Sequence, residues 1–454
     1  MALASTIIFR ANTAGTAGNV NGGGYKPGSS GTDFSQQIAA QYDLTGVTTA
    51  AADAILLTAS AAADMVGNVA KINSGTNFIV GWYEIISVVV GTSITLDRNC
   101  TTAAGSAGAV KIGGYLSLGS ADDAVFEALA PGNKLYIEKG TYTIDGNVSV
   151  ANDGTAALPI NIVGRDGSDT VAPTGANRPI LAFGANTANF LGDYYNFYNL
   201  DFTTTAPAGI YVQVGSILRN CKSFNSSVTA NRAAFSLSGV GSRVIDCEAI
   251  STAGDGIDQM SGQASHITGC YIHDCGAKGI DFAGAGSRTS VTFNIIDNCA
   301  TGISMGSGSI EIFVQNNTLH GANTPAGTGI DLLATTAIRC TFMNNSISGF
   351  VTGVNSAAVV ESNFYDYNNF FNNTTNRTNV TAGPNDTALD PAFTDAPNGN
   401  FAVGANMKAI AFPGAFPGGL TTGYLDIGAV QRVEPTGGSS GGARVMGAGI
   451  VSGG

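Results

Sequence analysis

Gly256-Ile257-Asp258, Gly279-Ile280-Asp281, Gly302-Ile303-Ser304, Gly329-Ile330-Asp331 and Gly353-Val354-Asn355 are five versions of one tripeptide, their glycines 23, 23, 27 and 24 residues apart. A second track runs between them at Cys247, Cys270, Asn294, Asn317, Asn345 and Asn369, spaced 23, 24, 23, 28 and 24. It reaches upstream, less regularly, to Cys221 and Asn199. Two tracks that share one period of about two dozen residues mark a solenoid, in which each repeat adds a coil and buries its apolar face on the next.

The filling of each coil selects the kind of solenoid. Neither a regular run of leucines nor apolar residues at helical spacing is present. The coils hold short runs such as Val244-Ile245, Tyr271-Ile272 and Ile295-Ile296, broken by Gly, Asn, Ser and Thr before a helix could form. Two or three such strands per coil predict an all-β chain, a right-handed parallel β-helix whose rungs stack about 4.8 Å apart. The Cys/Asn track reads as an inward-facing ladder at one corner: Cys221, Cys247, Cys270, Asn294, Asn317, Asn345 and Asn369. Stacked amides there would satisfy turn backbone that is otherwise buried unpaired.

Composition agrees. Only 11% of the 454 residues are charged while 44% are hydrophobic, and 62 are glycine. That balance suits a scaffold with many tight turns and little surface per coil. A net charge of −12 argues against nucleic-acid binding, since no basic stripe exists to displace counterions. The sequence holds no apolar run long enough to span a bilayer and no signal-peptide pattern at its start, so neither membrane insertion nor export is expected. The seven cysteines read as reduced, buried filler, with Cys275 and Cys299 at matching places before successive Gly-Ile pairs. The three histidines do not pair with cysteines at ligand spacing; neither a metal nor another cofactor is expected.

Outside the repeats the chain divides further. Residues 1–31 form a glycine-rich N-terminal arm, and 32–119 a small β-rich region with a hairpin turning at Gly91-Thr92. Residues 120–131 predict one helix, N-capped by Ser120 and stopped by Pro131-Gly132, able to close the open first rung. The β-helix is expected over 132–380, a closing segment over 381–434, and a Gly/Ser-rich C-terminal arm over 435–454. Ile7, Ile8 and Phe9 in one arm, and Val445, Met446, Ile450 and Val451 in the other, are apolar residues in glycine-rich chain. They cannot build a core of their own and read as assembly contacts.

Leu135-Tyr136-Ile137, Gly140-Thr141-Tyr142 and Pro159-Ile160-Asn161-Ile162-Val163-Gly164 resemble the opening coils of pectin-lyase-like right-handed β-helix proteins. Asp390-Pro391-Ala392-Phe393-Thr394-Asp395, Gly399-Asn400-Phe401 and Asp426-Ile427-Gly428-Ala429 resemble the closing segment of bacterial and phage members. Residues 32–120, with Gly31-Thr32-Asp33-Phe34 and Met65-Val66-Gly67-Asn68, are similar to N-terminal portions of β-helix proteins carried by tailed phages. The resemblance implies the fold, on which lyases, hydrolases, adhesins and inert structural parts are all built. It also implies a phage virion structural protein. The expected form is a non-catalytic capsid decoration or cement protein, homotrimeric, held by its arms to the major capsid protein or other virion proteins. The alternatives are a tailspike or fibre that binds host glycan, and a polysaccharide lyase or glycoside hydrolase.

The chemistry turns on the row Asp258, Asp281 and Asp331. With each isoleucine inward, alternation turns these carboxylates outward on one sheet. Asp258 and Asp281 then sit on adjacent rungs, roughly 5 Å apart, near the separation of a retaining glycosidase pair. Lys278 and Arg288 are the only Lys or Arg between Gly256 and Ile338, and neither lies in a lyase-like motif. The row is therefore expected to be a solvated polar face, with Asp258 and Asp281 the catalytic candidates if the chain is an enzyme.

Overall fold

The computed structural model describes residues 8–11, 42–113, 126, 129–164, 175–404, 407 and 426–430, with short interruptions inside the longer ranges. Two compact units divide the chain, one of residues 1–186 and 194–201, the other of residues 187–193 and 202–454.

In the first unit, six strands between Tyr42 and Gly113 form an antiparallel sheet around Leu56, Ile72, Ile85, Ile94 and Val110. The expected hairpin is there, Gly81–Val89 pairing with Ser93–Leu96. Parallel pairing starts at Lys134–Ile137, followed by Ile160–Gly164 and Tyr195–Tyr198. The free side of Lys134–Ile137 is taken by Ile8–Ala11, in register from Ile8 opposite Lys134 to Ala11 opposite Ile137. The backbone of Ile8 and Phe9, expected from the sequence to make assembly contacts, is thus paired within the chain. Ile7, Val445, Met446, Ile450 and Val451 lie outside the described residues. Of the helix expected over 120–131, Phe126 is helical and buried, and most of the rest lies outside the described residues.

The second unit is a parallel β-helix with three strands per coil. One coil illustrates it: His266–Thr268 in the first sheet, Tyr271–His273 in the second and Lys278–Phe282 in the third. Each strand pairs in parallel with its counterparts one coil before and after. Inward rows fill the interior: Ile267, Val291, Val314 and Phe342 from the first sheet, Ile272, Ile296, Leu319 and Ile347 from the second. Ile257, Ile280, Ile303, Ile330 and Val354 come from the third.

The glycine track has a steric cause. A Cβ on Gly256, Gly279, Gly302 or Gly329 would stand 2.4–2.7 Å from the carbonyl oxygen of the next glycine in the stack, and would strike Ile272, Ile296, Leu319 or Ile347 as well. The ladder also has a backbone cause. Each ladder residue follows one held at positive φ, namely Asn220, Asp246, Gly269, Phe293, Asn316, Asn344 and Tyr367. That turn aims the next backbone N–H along the stack. Asn294 N donates to Asn317 Oδ1 at 3.0 Å, and Asn317 N to Asn345 Oδ1 at 3.1 Å. Cys270 N donates to Asn294 Oδ1, and Cys221 N points at Cys247 Sγ.

The last place in the ladder differs from expectation. Asn345 N donates to Asn368 Oδ1 at 3.1 Å, so Asn368 rather than Asn369 continues the stack. Asn369 lies one residue on, in the strand Asn369–Phe371, where its amide bonds Leu389. The ladder ends on a charge: Asp386 accepts from Asn368 N at 2.8 Å and pairs with Arg377 at 2.5 Å.

The closing segment lies along the flank of this unit. Phe401, Ala429 and Val430 pack on Ile295, an outward residue of the second sheet, with Tyr271 and Phe393 alongside. Gly428 N donates to Asn344 O, and Ala429 N to Thr318 Oγ1.

Candidate functional site

On the outer face of the third sheet, Ser236, Asp258, Asp281, Ser304, Asp331 and Asn355 stand on consecutive rungs. The solvated face expected from the sequence does not describe its middle. Asp281 is 5% exposed and Ser304 1%, while Asp258 is half-buried. Two neighbours make the difference: Asp255, which the spacing arguments passed over, and Lys278, set aside there as lying outside any lyase-like motif. Lys278 Nζ pairs with Asp281 Oδ2 at 2.6 Å, and Lys278 N donates to the buried Asp255 Oδ1 at 2.9 Å. Asp255 and Lys278 each precede a glycine of the Gly-Ile-Asp track, 23 residues apart. That signal was available in the sequence.

The electrostatics are asymmetric. Burial, then the charges of Asp281 and Asp255, push the Asp258 carboxyl up to about 7 against the opposing pull of Lys278. Its Oδ1 is covered and has no hydrogen-bond partner among the described residues, as has Ser304 Oγ. Burial also raises Asp255, against the stabilising Lys278 N–H. Burial disfavours the Lys278 ammonium, but its hydrogen bond to Asp281 and the surrounding carboxylates outweigh that and hold it above the usual lysine range. The arrangement sets a carboxyl whose ionisation is opposed by burial and by neighbouring charge beside one paired with a lysine ammonium. Asp331, two rungs on from Asp281, accepts from Asn355 Nδ2 at 2.8 Å and stands apart from this cluster.

A second polar row, on the outer face of the second sheet, supports the closing segment. Glu248 takes Lys222 at 2.8 Å and His273 at 3.3 Å; His273 also bonds Asp274 and stacks on Tyr271, ring centroids 4.0 Å apart. Burial works against the Glu248 charge, but the hydrogen bonds from His273 and Lys222 dominate and bring it down to about 2. His320 bonds Asp297 at 2.8 Å and meets Phe393 and Phe401 edge-on. The seven cysteines are buried thiols outside any disulfide, and the burial-raised thiol of Cys299 lies against Cys275. Among the described residues no group of three or more His, Cys, Asp or Glu side chains could hold a metal ion.

A family model described as a right handed beta helix region matches residues 186–375. No curated protein matches the chain. Among solved structures, a pectate lyase, Pel9A, superposes with a TM-score of 0.53 at 16% identity, over 70% of this chain and 92% of that one. An alginate lyase from a Paenibacillus species gives a TM-score of 0.40 at 15% identity, over 60% and 97%. The tailspike protein of E. coli bacteriophage HK620 gives 0.38 at 15% identity, over 56% and 57%. At 16% identity the likeness to Pel9A is one of fold alone and agrees with the family model in giving a right-handed β-helix.

Proposed function

We propose that this chain is a polysaccharide-cleaving β-helix that works by hydrolysis, with Asp258 as general acid and Asp281 as the carboxylate partner. The observation that carries the reading is the contrast between two carboxyls on adjacent rungs: Asp258, its Oδ1 covered and its proton affinity raised by burial, and Asp281, paired with an ammonium. Such a contrast is how paired carboxylates divide the roles of acid and nucleophile. Asp258 gives its proton to the glycosidic oxygen as the C–O bond breaks. Asp281, about one rung away at roughly 5 Å, faces the developing positive charge and bonds to the sugar carbon, and water, deprotonated by Asp258, then releases the sugar. Lyase chemistry fits less well, because its hydrogen bond to Asp281 and the surrounding carboxylates hold the nearest candidate base, Lys278, above the usual lysine range, where it stays protonated.

The phage association implied by the sequence resemblance belongs to the same proposal: a homotrimeric virion component, bound to other virion proteins and acting on host surface glycan. A capsid-decoration role drew on the terminal arms. With Ile8–Ala11 paired inside the chain, that role has less support than the carboxylate pair gives to hydrolysis.

The test is release of reducing ends from a panel of neutral and acidic polysaccharides. Asp258→Asn and Asp281→Asn should each lower the rate by about 10³-fold. The wild-type rate should fall as pH rises through about 7, where Asp258 loses its proton. No release from any polymer, or full activity in Asp258→Asn, would refute the assignment.

A further inference from the structure

We propose that the outer face of the first sheet, with the cavity at its last strand, is a saccharide-binding strip for a neutral glycan chain. Phe313 and Phe364 are 43% and 51% exposed, and both point outward from the same row. Thr341 lies between them, on the intervening rung. The two rings are therefore about 9–10 Å apart along the solenoid axis, two rungs of parallel sheet. Ser290 precedes Phe313 in that row, and Thr292 and Gln315 flank it in the next outward row. Isolated aromatic faces interleaved with hydroxyl and amide groups do not make the continuous apolar patch that a protein partner covers. They match a sugar chain, whose ring C–H faces stack on aromatics while its hydroxyls find donors and acceptors beside them.

The row runs into a cavity of about 280 Å³. Phe364 and Tyr365 form one part of its lining; Glu361, Asn379, Thr381 and Pro384 form another. That volume lies near the lower end for small-molecule sites, about 300 Å³, and suits one or two sugar rings. Glu361 is the only charged residue in the lining, so a uronate or sulfated sugar would meet like charge there. The strip and the carboxylate pair lie on different sheets. The strip is thus an anchoring site, and it stands whether or not Asp258 and Asp281 cleave anything.

Affinity electrophoresis of the full chain through gels containing galactomannan, dextran or polygalacturonate tests the proposal. Retardation is expected in at least one neutral gel and not in polygalacturonate. Phe364→Ala and Phe313→Ala should each weaken retention at least about tenfold. Phe364→Trp should keep it. Both phenylalanines are exposed, so thermal unfolding of the alanine variants should be unchanged, which separates lost binding from lost fold. Retardation by polygalacturonate alone, unaltered retention in both alanine variants, or no retardation in either neutral gel overturns the proposal.

Discussion

The ladder asparagines show how one side chain can serve three coils. Asn317 Oδ1 accepts from both the backbone and the side-chain nitrogen of Asn294, while its own Nδ2 donates to Val291 O, Gln315 O and Asn345 Oδ1. Leucine would fill a similar volume but leave several of these groups buried and unpaired, each costing about 1–3 kcal/mol. Asn317→Leu should therefore lower unfolding stability by about 3 kcal/mol or more in a denaturant titration; a loss under about 1 kcal/mol would mean that the ladder is dispensable. This track was legible because a fixed local turn forces it. Its end was not, because Asn368 and Asn369 are adjacent asparagines and only the positive φ of Tyr367 tells which follows the turn. The burial of Asp281 was illegible for another reason: alternation tells which side of the sheet a residue takes, not whether neighbouring side chains, here Lys278 at 2.6 Å, lie against it. Asp258 carries a sign that helps here. Its folded value is raised, so its ionisation opposes folding progressively from about pH 4 to about pH 7. Asn at that position removes the opposition, so Asp258→Asn should unfold at no lower denaturant concentration than the wild type above pH 7. Its cleavage is compared with the wild type at pH 6, where Asp258 is protonated and the wild type should be active.

At the scale of the coil, the glycine of each Gly-Ile-Asp is where two sheets meet at closest approach. A Cβ at Gly302 would stand 2.4 Å from Gly329 O and 2.8 Å from Leu319 Cδ2. Leu319 can rotate, but the carbonyl belongs to the parallel ladder and cannot move without breaking it. Gly302→Ala should cost about 2–3 kcal/mol, as overpacking does elsewhere, although alanine is normally the less flexible and more stabilising residue. An unchanged melting temperature would show that the coil spacing is looser than the structure has it. The same scale explains what periodicity could not reveal. Asp426-Ile427-Gly428-Ala429 reads as an end piece, yet it packs on Ile295 and Thr318, because those outward positions are apolar or hydroxyl-bearing and offer a surface to cover. Nothing in a single coil announces which of its outward residues will be covered.

For the molecule as a whole, the question is how a β-helix protects the edge of its first rung. A parallel sheet that stops leaves a row of unpaired N–H and C=O groups, which invites pairing with another chain. The sequence pointed to a capping helix over 120–131, whereas the structure also commits Ile8–Ala11 to the edge of Lys134–Ile137, a pairing between residues more than a hundred positions apart. Such a contact has no local signature, since Ile8-Phe9-Arg10-Ala11 looks equally able to add to a neighbour's sheet. The two roles separate experimentally. Removing residues 1–11 should leave the coils from Ile210 onward folded while freeing the amides of Lys134–Ile137. Hydrogen exchange there should rise steeply, and the truncated chain should associate in a concentration-dependent way beyond the state of the full chain. Removing 431–454 should do neither, so the second truncation controls for loss of chain as such. If exchange at Lys134–Ile137 is unchanged without residues 1–11, the N-terminal strand does not hold that edge, and its apolar residues return to being contacts for a partner.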